Sequence, residues 1–349
     1  FKQKPAYDML RSLVGSEMCI RDRNSGQSAL MVPTDILAKQ HFINFLQYTK
    51  DAGISIVLLT GKMKTKEKKE TLEIIKSGKA DLIIGTHALF QKGVLFKKLE
   101  LVIIDEQHKF GVKQRHDLIQ KGENLDILVM TATPIPRTLE LANYGDMDIS
   151  RIFDKPLNRK KIDTSIISEK KIDKLISRLF EICNNGAQAY WVCPLIEDSE
   201  KSELVAIEKR LSILNKFLPN IKIEILHGKM SEDQKSDIMT SFKAGSIQIL
   251  LATTVIEVGI DVPNANVMII EAAERFGLAQ LHQLRGRVGR GSTKSFCYLV
   301  TSDRNGLENK RLCVLQKSND GFYIAEKDLE LRGPGQILGY RQSGLPDFV

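Results

Sequence analysis

Ten short apolar runs recur along the chain, and each stops on small or polar residues. In the first half they are ALMVPT (29–34), ISIVLLTG (54–61), DLIIGTH (81–87), LVIIDE (101–106) and DILVMTAT (126–133). In the second half they are AYWVCP (189–194), IEILHG (223–228), IQILLATT (247–254), VMIIEAA (267–273) and SFCYLV (295–300). Continuous runs of this length, rich in Val and Ile, are the pattern of strands covered on both faces, as in parallel sheets. Between them lie stretches of helical period, such as 35–50, 66–78 and 231–245. The alternation predicts an α/β fold with parallel sheets. Two groups of five runs in 349 residues predict two similar domains in tandem.

The break falls at DKPLNRKKIDTS (154–165), which carries Pro, Asn and charge but little apolar content. It reads as a linker, taken as 156–168, between a first domain over 24–155 and a second over 169–305. After Thr301 the strand pattern stops, and 306–349, rich in Gly and charge, reads as a helical appendage. KMKTKEKKE (62–70) reads as a solvated helix face rather than a DNA-binding patch.

Hydrophobic content of 42% and charged content of 27% are those of a soluble globular protein. The net charge of +8 is compatible with a phosphate-bearing partner but does not require one. Five scattered cysteines with no CxxC pair argue against zinc and against a disulfide framework, and fit a reducing cytosol. No apolar run reaches the length of a membrane span, and the N-terminus lacks a signal-peptide pattern.

In open parallel sheets, ligands sit beyond the carboxyl ends of the strands, where every polar tail above is placed. Asp105 and Glu106 end a buried run with two like charges. One acid there suits a Mg²⁺ shell around a nucleoside triphosphate, and its neighbour can polarise an attacking water. A bare acid pair can also be a solvated strand end. Thr131 and Thr133, in TAT after the next strand, add hydroxyls beside it. In QLHQLRGRVGRG (280–291), Arg287 and Arg290 stand three apart on a Gly-flanked turn or helix start, with Gln283 before them. Guanidiniums so placed can reach β- and γ-phosphates, a contribution of about 10³-fold or more in phosphoryl transfer. Thr253 and Thr254 can bond the phosphates of a nucleic-acid strand, and Gly259 and Asp261 suit a tight loop facing nucleotide. Pro33 and Thr34, Thr60 and Gly61, Thr86, and His227 and Gly228 supply further strand-end hydroxyls and backbone N–H groups of the kind that hold phosphate.

Taken in order, PTDILAKQH, DEQHKFGVKQR, TATPIPRTL, TTVIEVGIDVPNA and QLRGRVGRG resemble the motifs of superfamily 2 helicases. DEQHKFGV and DGFYIAEKDLELRGPGQILGYRQSGLPDF narrow the resemblance to RecG-type ATP-dependent DNA helicases, over about residues 25–349. That resemblance implies two RecA-like domains with ATP and Mg²⁺ between them, and translocation on duplex DNA that remodels stalled forks and Holliday junctions. It implies Asp105 and Glu106 as the magnesium and water-activating acids, with Gln107 and His108 beside the nucleotide. Gln283, Arg287 and Arg290 become the nucleotide-sensing motif, with Arg290 as the finger. Arg311 and Gln342 become the pair coupling turnover to DNA movement. The implied partner is branched or forked DNA, held by its backbone without sequence specificity, and the implied setting is a monomer in the bacterial cytoplasm. Contact with single-strand-binding protein is left open. Transcription-repair coupling translocases, which share the tail, usually carry DEEH and RGAG where this chain has DEQH and RGPG. Those departures favour the RecG type, and the tail argues against an RNA helicase.

A P-loop is expected before ALMVPT, yet 11–28 reads RSLVGSEMCIRDRNSGQS, with no GK[ST]. Either the protein is degenerate and inactive, a helicase fold that binds DNA without hydrolysis, or residues 1–23 are foreign. VGSEMCIRDR resembles a translated sequencing adaptor joined to a truncated helicase. The family's N-terminal wedge domain is expected to be missing as well.

Overall fold

The computed structural model describes residues 26–91, 93–106, 121–122, 125–131, 148–152, 160–194, 200–253, 262–291, 293–302 and 309–332. They form two compact units, one of the described residues up to Thr131 together with 151–152, and one of 148–150 together with those from 160 onward.

The first unit is a five-stranded parallel sheet of β1 (Gln27–Met31), β2 (Ile56–Leu59), β3 (Leu82–Gly85), β4 (Leu99–Asp105) and β5 (Asp126–Met130), in the order β2-β3-β1-β4-β5. Leu30 of the central strand lies beside Ile84 on one side and Ile103 on the other. Successive side chains point to opposite faces. Leu30, Ile84 and Ile103 therefore pack with Leu37, Ala38 and Phe45 of α1 (Asp35–Tyr48). Ala29, Met31, Ile83 and Val102 pack with Ile75 of α2 (Thr65–Ser77). Burial on both faces is why these strands read as unbroken apolar runs, each large side chain contributing roughly 1.5–3 kcal/mol. Thr34 caps α1 by accepting from the Leu37 N–H at 3.4 Å. Gly78 ends α2 in the left-handed region at φ 75°, where glycine carries no Cβ penalty. The basic run 62–70 feeds the exposed side of α2, where Lys68 donates to Gln91 at 2.9 Å. β5 departs from the expected buried strand. It lies at the sheet edge, Asp126 is exposed and the other four residues are half-buried.

The second unit carries β6 (Ile162–Ser168), β7 (Gln188–Val192), β8 (Ile223–Leu226), β9 (Ile249–Ala252), β10 (Ala265–Ile270) and β11 (Ser295–Thr301), all parallel, in the order β6-β11-β10-β7-β9-β8. One face packs on α3 (Ile172–Asn184) and α4 (Glu200–Phe217), through Leu175, Leu179, Ile207 and Leu214 against Trp191, Leu251 and Ile269. The other packs on α5 (Glu232–Lys243) and α6 (Leu278–Arg285), through Phe242, Leu281 and Leu284 against Tyr190, Leu250 and Met268. Ser231 caps α5 in a capping box with Gln234.

Two expectations are corrected here. Residues 162–168, read as part of the linker, are the edge strand β6, paired along their length with β11. An edge strand with one half-covered face alternates apolar and polar residues, and IDTSIIS lacks the continuous run that marks the other strands. The tail helices α7 (Lys310–Lys317) and α8 (Gly321–Arg332) are helical as expected. They are nevertheless part of the second unit, because Leu312, Leu315 and Ile324 are buried in its core. Among the described residues, no helix is long and apolar enough to cross a membrane.

Candidate functional site

Because every strand of the first unit is parallel, their carboxyl ends share one edge. Pro33 and Thr34, Thr60 and Gly61, Thr86, Asp105 and Glu106, and Thr131 all follow those ends. The chain leaves β1 toward β2 and β3, then crosses to β4 on the other side of β1. The β1–β4 gap is thus the topological switch point, where ligands enter open α/β sheets. Asp105 and Glu106 stand there.

The Asp105 carboxylate is half-buried. Its Oδ1 accepts the Glu106 N–H at 2.9 Å, and its Oδ2 lies 3.6 Å from His41 Nε2. Glu106 holds a left-handed backbone at φ 50°. For a residue with a Cβ that conformation costs of order 1–3 kcal/mol, and such strain clusters at ligand sites. Thr34 spends its hydroxyl on the α1 cap, and the Thr60 N–H donates to Met63 Sδ at 3.4 Å. The Thr86 hydroxyl is shut from solvent and has no hydrogen-bond partner, whereas Thr131 is exposed. A carboxylate pair at an open strand end fits Mg²⁺. That ion takes one or two carboxylates and completes its octahedron with water and phosphate, rather than sitting in a cage made wholly of protein. Among the described residues, no cluster of three or more His, Cys, Asp or Glu side chains forms such a cage. When bound, Mg²⁺ and ATP supply an electrophilic phosphoryl group and the cation that neutralises its charge.

Sequence reasoning missed His41. It sits on α1, its ring 6.4 Å from Phe45, and its Nδ1 is buried without a hydrogen-bond partner. The helical period could place it on the Ala38–Phe45 face, but its closeness to Asp105 depends on β1 and β4 being neighbours.

In the second unit, His227 and Gly228 follow β8 and Thr253 follows β9, again on one carboxyl edge. His227 Nδ1 is buried without a partner, and the buried Thr253 donates its N–H to Leu226 O at 3.3 Å. Gln283 lies on α6, while Arg287 and Arg290 lie on the turn that follows it. The arginines therefore ride on the end of a helix, not its start: Arg287 N–H closes onto Leu284 O at 3.0 Å. Gly289, at φ 74°, sits 3.0 Å from an Ile162 methylene by the position a Cβ would take, so only glycine fits there. Arg287 is half-buried and Arg290 exposed.

Arg285 is the second residue missed. It is 2% exposed, and its Nη1 donates to Leu315 O at 2.6 Å and Ser318 O at 2.8 Å, the carbonyls ending α7. Its Nη2 lies 3.0 Å from His282 Nδ1. Burial lowers its pKa from the ordinary arginine value, and the same enclosure pushes the Cys297 thiol up to about 12. Arg311, near the start of α7, reaches Glu274 O at 3.4 Å, in the turn before α6. The two arginines brace α7 against both ends of the α6 segment. Gln107, His108, Thr133, Thr254, Gly259, Asp261 and Gln342 lie outside the described residues.

Three family models match the chain: "DEAD/DEAH box helicase" over 4–142, "Helicase conserved C-terminal domain" over 170–292, and "ATP-dependent DNA helicase RecG, domain 3, C-terminal" over 318–348. The ATP-dependent DNA helicase RecG of Pasteurella multocida (strain Pm70) is 51% identical over 331 residues, 93% of this chain and 48% of its own. That of Bacillus subtilis (strain 168) is 47% identical over 323 residues, 92% of this chain and 47% of its own. The chain thus spans about half the length of these relatives. A solved structure of RecG bound to a three-way DNA junction matches with TM-score 0.74 and 42% identity, over 93% of this chain and 42% of that one. Dbp5 of S. cerevisiae bound to RNA and ADP BeF3, at 17% identity and TM-score 0.63, shares the fold.

Proposed function

The chain belongs to the RecG family of ATP-dependent DNA helicases, and from that premise we propose that it is the two-domain motor segment of such an enzyme. In this reading it draws on ATP and Mg²⁺ to move on branched or forked DNA, remodelling stalled forks and Holliday junctions in the bacterial cytoplasm, as a monomer. The acid pair at the end of β4 carries the proposal. Asp105 holds the cation, and Glu106 orients a water and receives its proton. Gln283, Arg287 and Arg290 sense the nucleotide, with Arg290 as the finger. Thr34, Thr60, Gly61, Thr86, Thr131, His227, Gly228 and Thr253 lie on the side that meets DNA phosphates without reading bases, and Pro33, which has no N–H to donate, fixes the loop before Thr34. By resemblance, Gln107, His108, Gly259 and Asp261 join the nucleotide side, and Thr133, Thr254 and Gln342 the DNA side. Arg311, braced alongside Arg285, carries movement of α6 into the tail helices.

A second reading keeps the fold and the DNA but not the hydrolysis. It is favoured by one observation: this sequence contains no G-x4-G-K-[ST] cradle. An ATPase assay with a three-way junction and Mg²⁺ separates the two. Little turnover is expected from this chain; robust turnover abolished by Glu106→Gln would overturn the impairment while supporting the acid's role. Junction binding, followed by anisotropy between 50 and 200 mM salt, should weaken by roughly 10³-fold if six or more phosphates are contacted. A flat salt response would count against the assigned contacts.

A further inference from the structure

At the outer edge of the second unit, the carboxyl end of β6 and the start of α3 line a cleft of about 290 Å³. Its floor is apolar, made by Ile167 and Leu175, and its rim carries Lys171, Lys174 and Arg178. Lys171 immediately precedes α3, and Lys174 and Arg178 stand four apart on it and so share one side of the helix. No ion pair engages any of them among the described residues, although Arg178 stands over the Phe296 ring at 5.2 Å. Tyr298 of β11 also lines the cleft. Its side chain is almost fully buried, and its hydroxyl is shut from solvent with no hydrogen-bond partner. In register Tyr298 lies beside Ser165, so the edge strand sets a small side chain, not a large apolar one, next to the phenol. The nearby acid Asp163 is paired with Lys294 at 2.8 Å.

A buried donor left unpaired is costly, and the missing partner is an acceptor. The cations ask for that acceptor to be negative. The apolar floor asks for a hydrocarbon body, and disfavours a phosphate dianion, whose hydration these walls cannot replace. A volume near 290 Å³ is at the small end of ligand pockets. We propose that this cleft binds a small organic carboxylate with an apolar or aromatic body. One carboxylate oxygen accepts from the Tyr298 hydroxyl, the group is paired by Arg178, and the body lies on Ile167 and Leu175.

N-acetyl-L-phenylalanine, titrated into the 349-residue chain and followed by saturation-transfer NMR, tests this. Saturable binding is expected, with the matching amide about tenfold weaker because it lacks the charge. Arg178→Gln and Tyr298→Phe should each weaken the acid by about tenfold. Tyr298→Phe removes a single oxygen and preserves the packing, which circular dichroism checks. A pentapeptide ending in a free phenylalanine carboxylate separates the two sources of this chemistry: tighter binding of the peptide points to a polypeptide terminus, tighter binding of the free acid to a metabolite. Equal affinity for acid and amide would overturn the proposal. So would unaltered binding in both variants, or no saturation up to about 20 mM.

Discussion

The two units repeat one topology, with β1 to β5 matched in order by β7 to β11, and their fourth strands end alike. In the first unit Ile103-Ile104-Asp105-Glu106 closes β4; in the second Ile269-Ile270-Glu271-Ala272 closes β10. Glu106 and Ala272 are the two non-glycine residues among those described with left-handed backbones, at φ 50° and 44°. The acids before them meet a side chain from the helix after the central strand: His41 of α1 for Asp105, Arg210 of α4 for Glu271. There the likeness stops. Arg210 grips Glu271 with two bonds, of 2.6 and 2.9 Å, and Trp191 Nε1 donates to the same carboxylate. His41 approaches Asp105 to 3.6 Å, too far for a hydrogen bond. The same backbone corner thus carries a closed clamp in one unit and an acid without such a clamp in the other. Partners, not position, distinguish the two acids.

The comparison breaks most visibly if the clamp is opened. Arg210→Ala leaves Glu271 half-buried without its cation and should cost about 3 kcal/mol in urea unfolding of the second unit. A loss below about 1 kcal/mol would mean that the corner is held by other contacts. A smaller effect sharpens the parallel at the strand starts. Gln27 donates to Ile75 O and Ala80 O, both at 3.0 Å, and accepts from the Lys97 N–H at 2.7 Å. Gln188 donates to Phe242 O and Ile247 O in the same way, but its buried Oε1 has no partner. Gln27→Ala should therefore cost about 2–3 kcal/mol and Gln188→Ala about 1 kcal/mol less, by chemical denaturation of each variant. Glycine at the shared corner relieves strain on both sides, so Ala272→Gly and Glu106→Gly should each raise stability by about 1 kcal/mol. Smallest of all, Asp105→Asn should shift stability by less than about 0.5 kcal/mol. An effect on the scale of Arg210→Ala would make Asp105 a structural acid after all.

Much of the fold is legible in the order of the amino acids. The strands covered on both faces announce themselves as apolar runs, and the stretches of helical period at 35–50 and 231–245 hold helices α1 and α5. β6 escaped because an edge strand needs no continuous run, and IDTSIIS follows a charged, Pro-containing stretch. The tail looked detached because Leu312, Leu315 and Ile324 are spread thinly among charges, and their burial depends on a core built by residues far away in sequence. Arg285 stood in plain view beside Arg287 and Arg290. Spacing cannot distinguish a guanidinium facing phosphate from one turned inward onto the carbonyls of α7.

The sequence by itself determined the α/β class, the two-fold repetition and the acids and arginines placed at strand and helix ends. Local hydrophobic period and residue chemistry carry that information. Tertiary structure decided which of two equivalent corners is clamped, which arginine is buried, and that a tyrosine hydroxyl is buried without a hydrogen-bond partner. Each of these depends on the side chain that a distant segment brings within about 3 Å, where the energy of a polar group is settled.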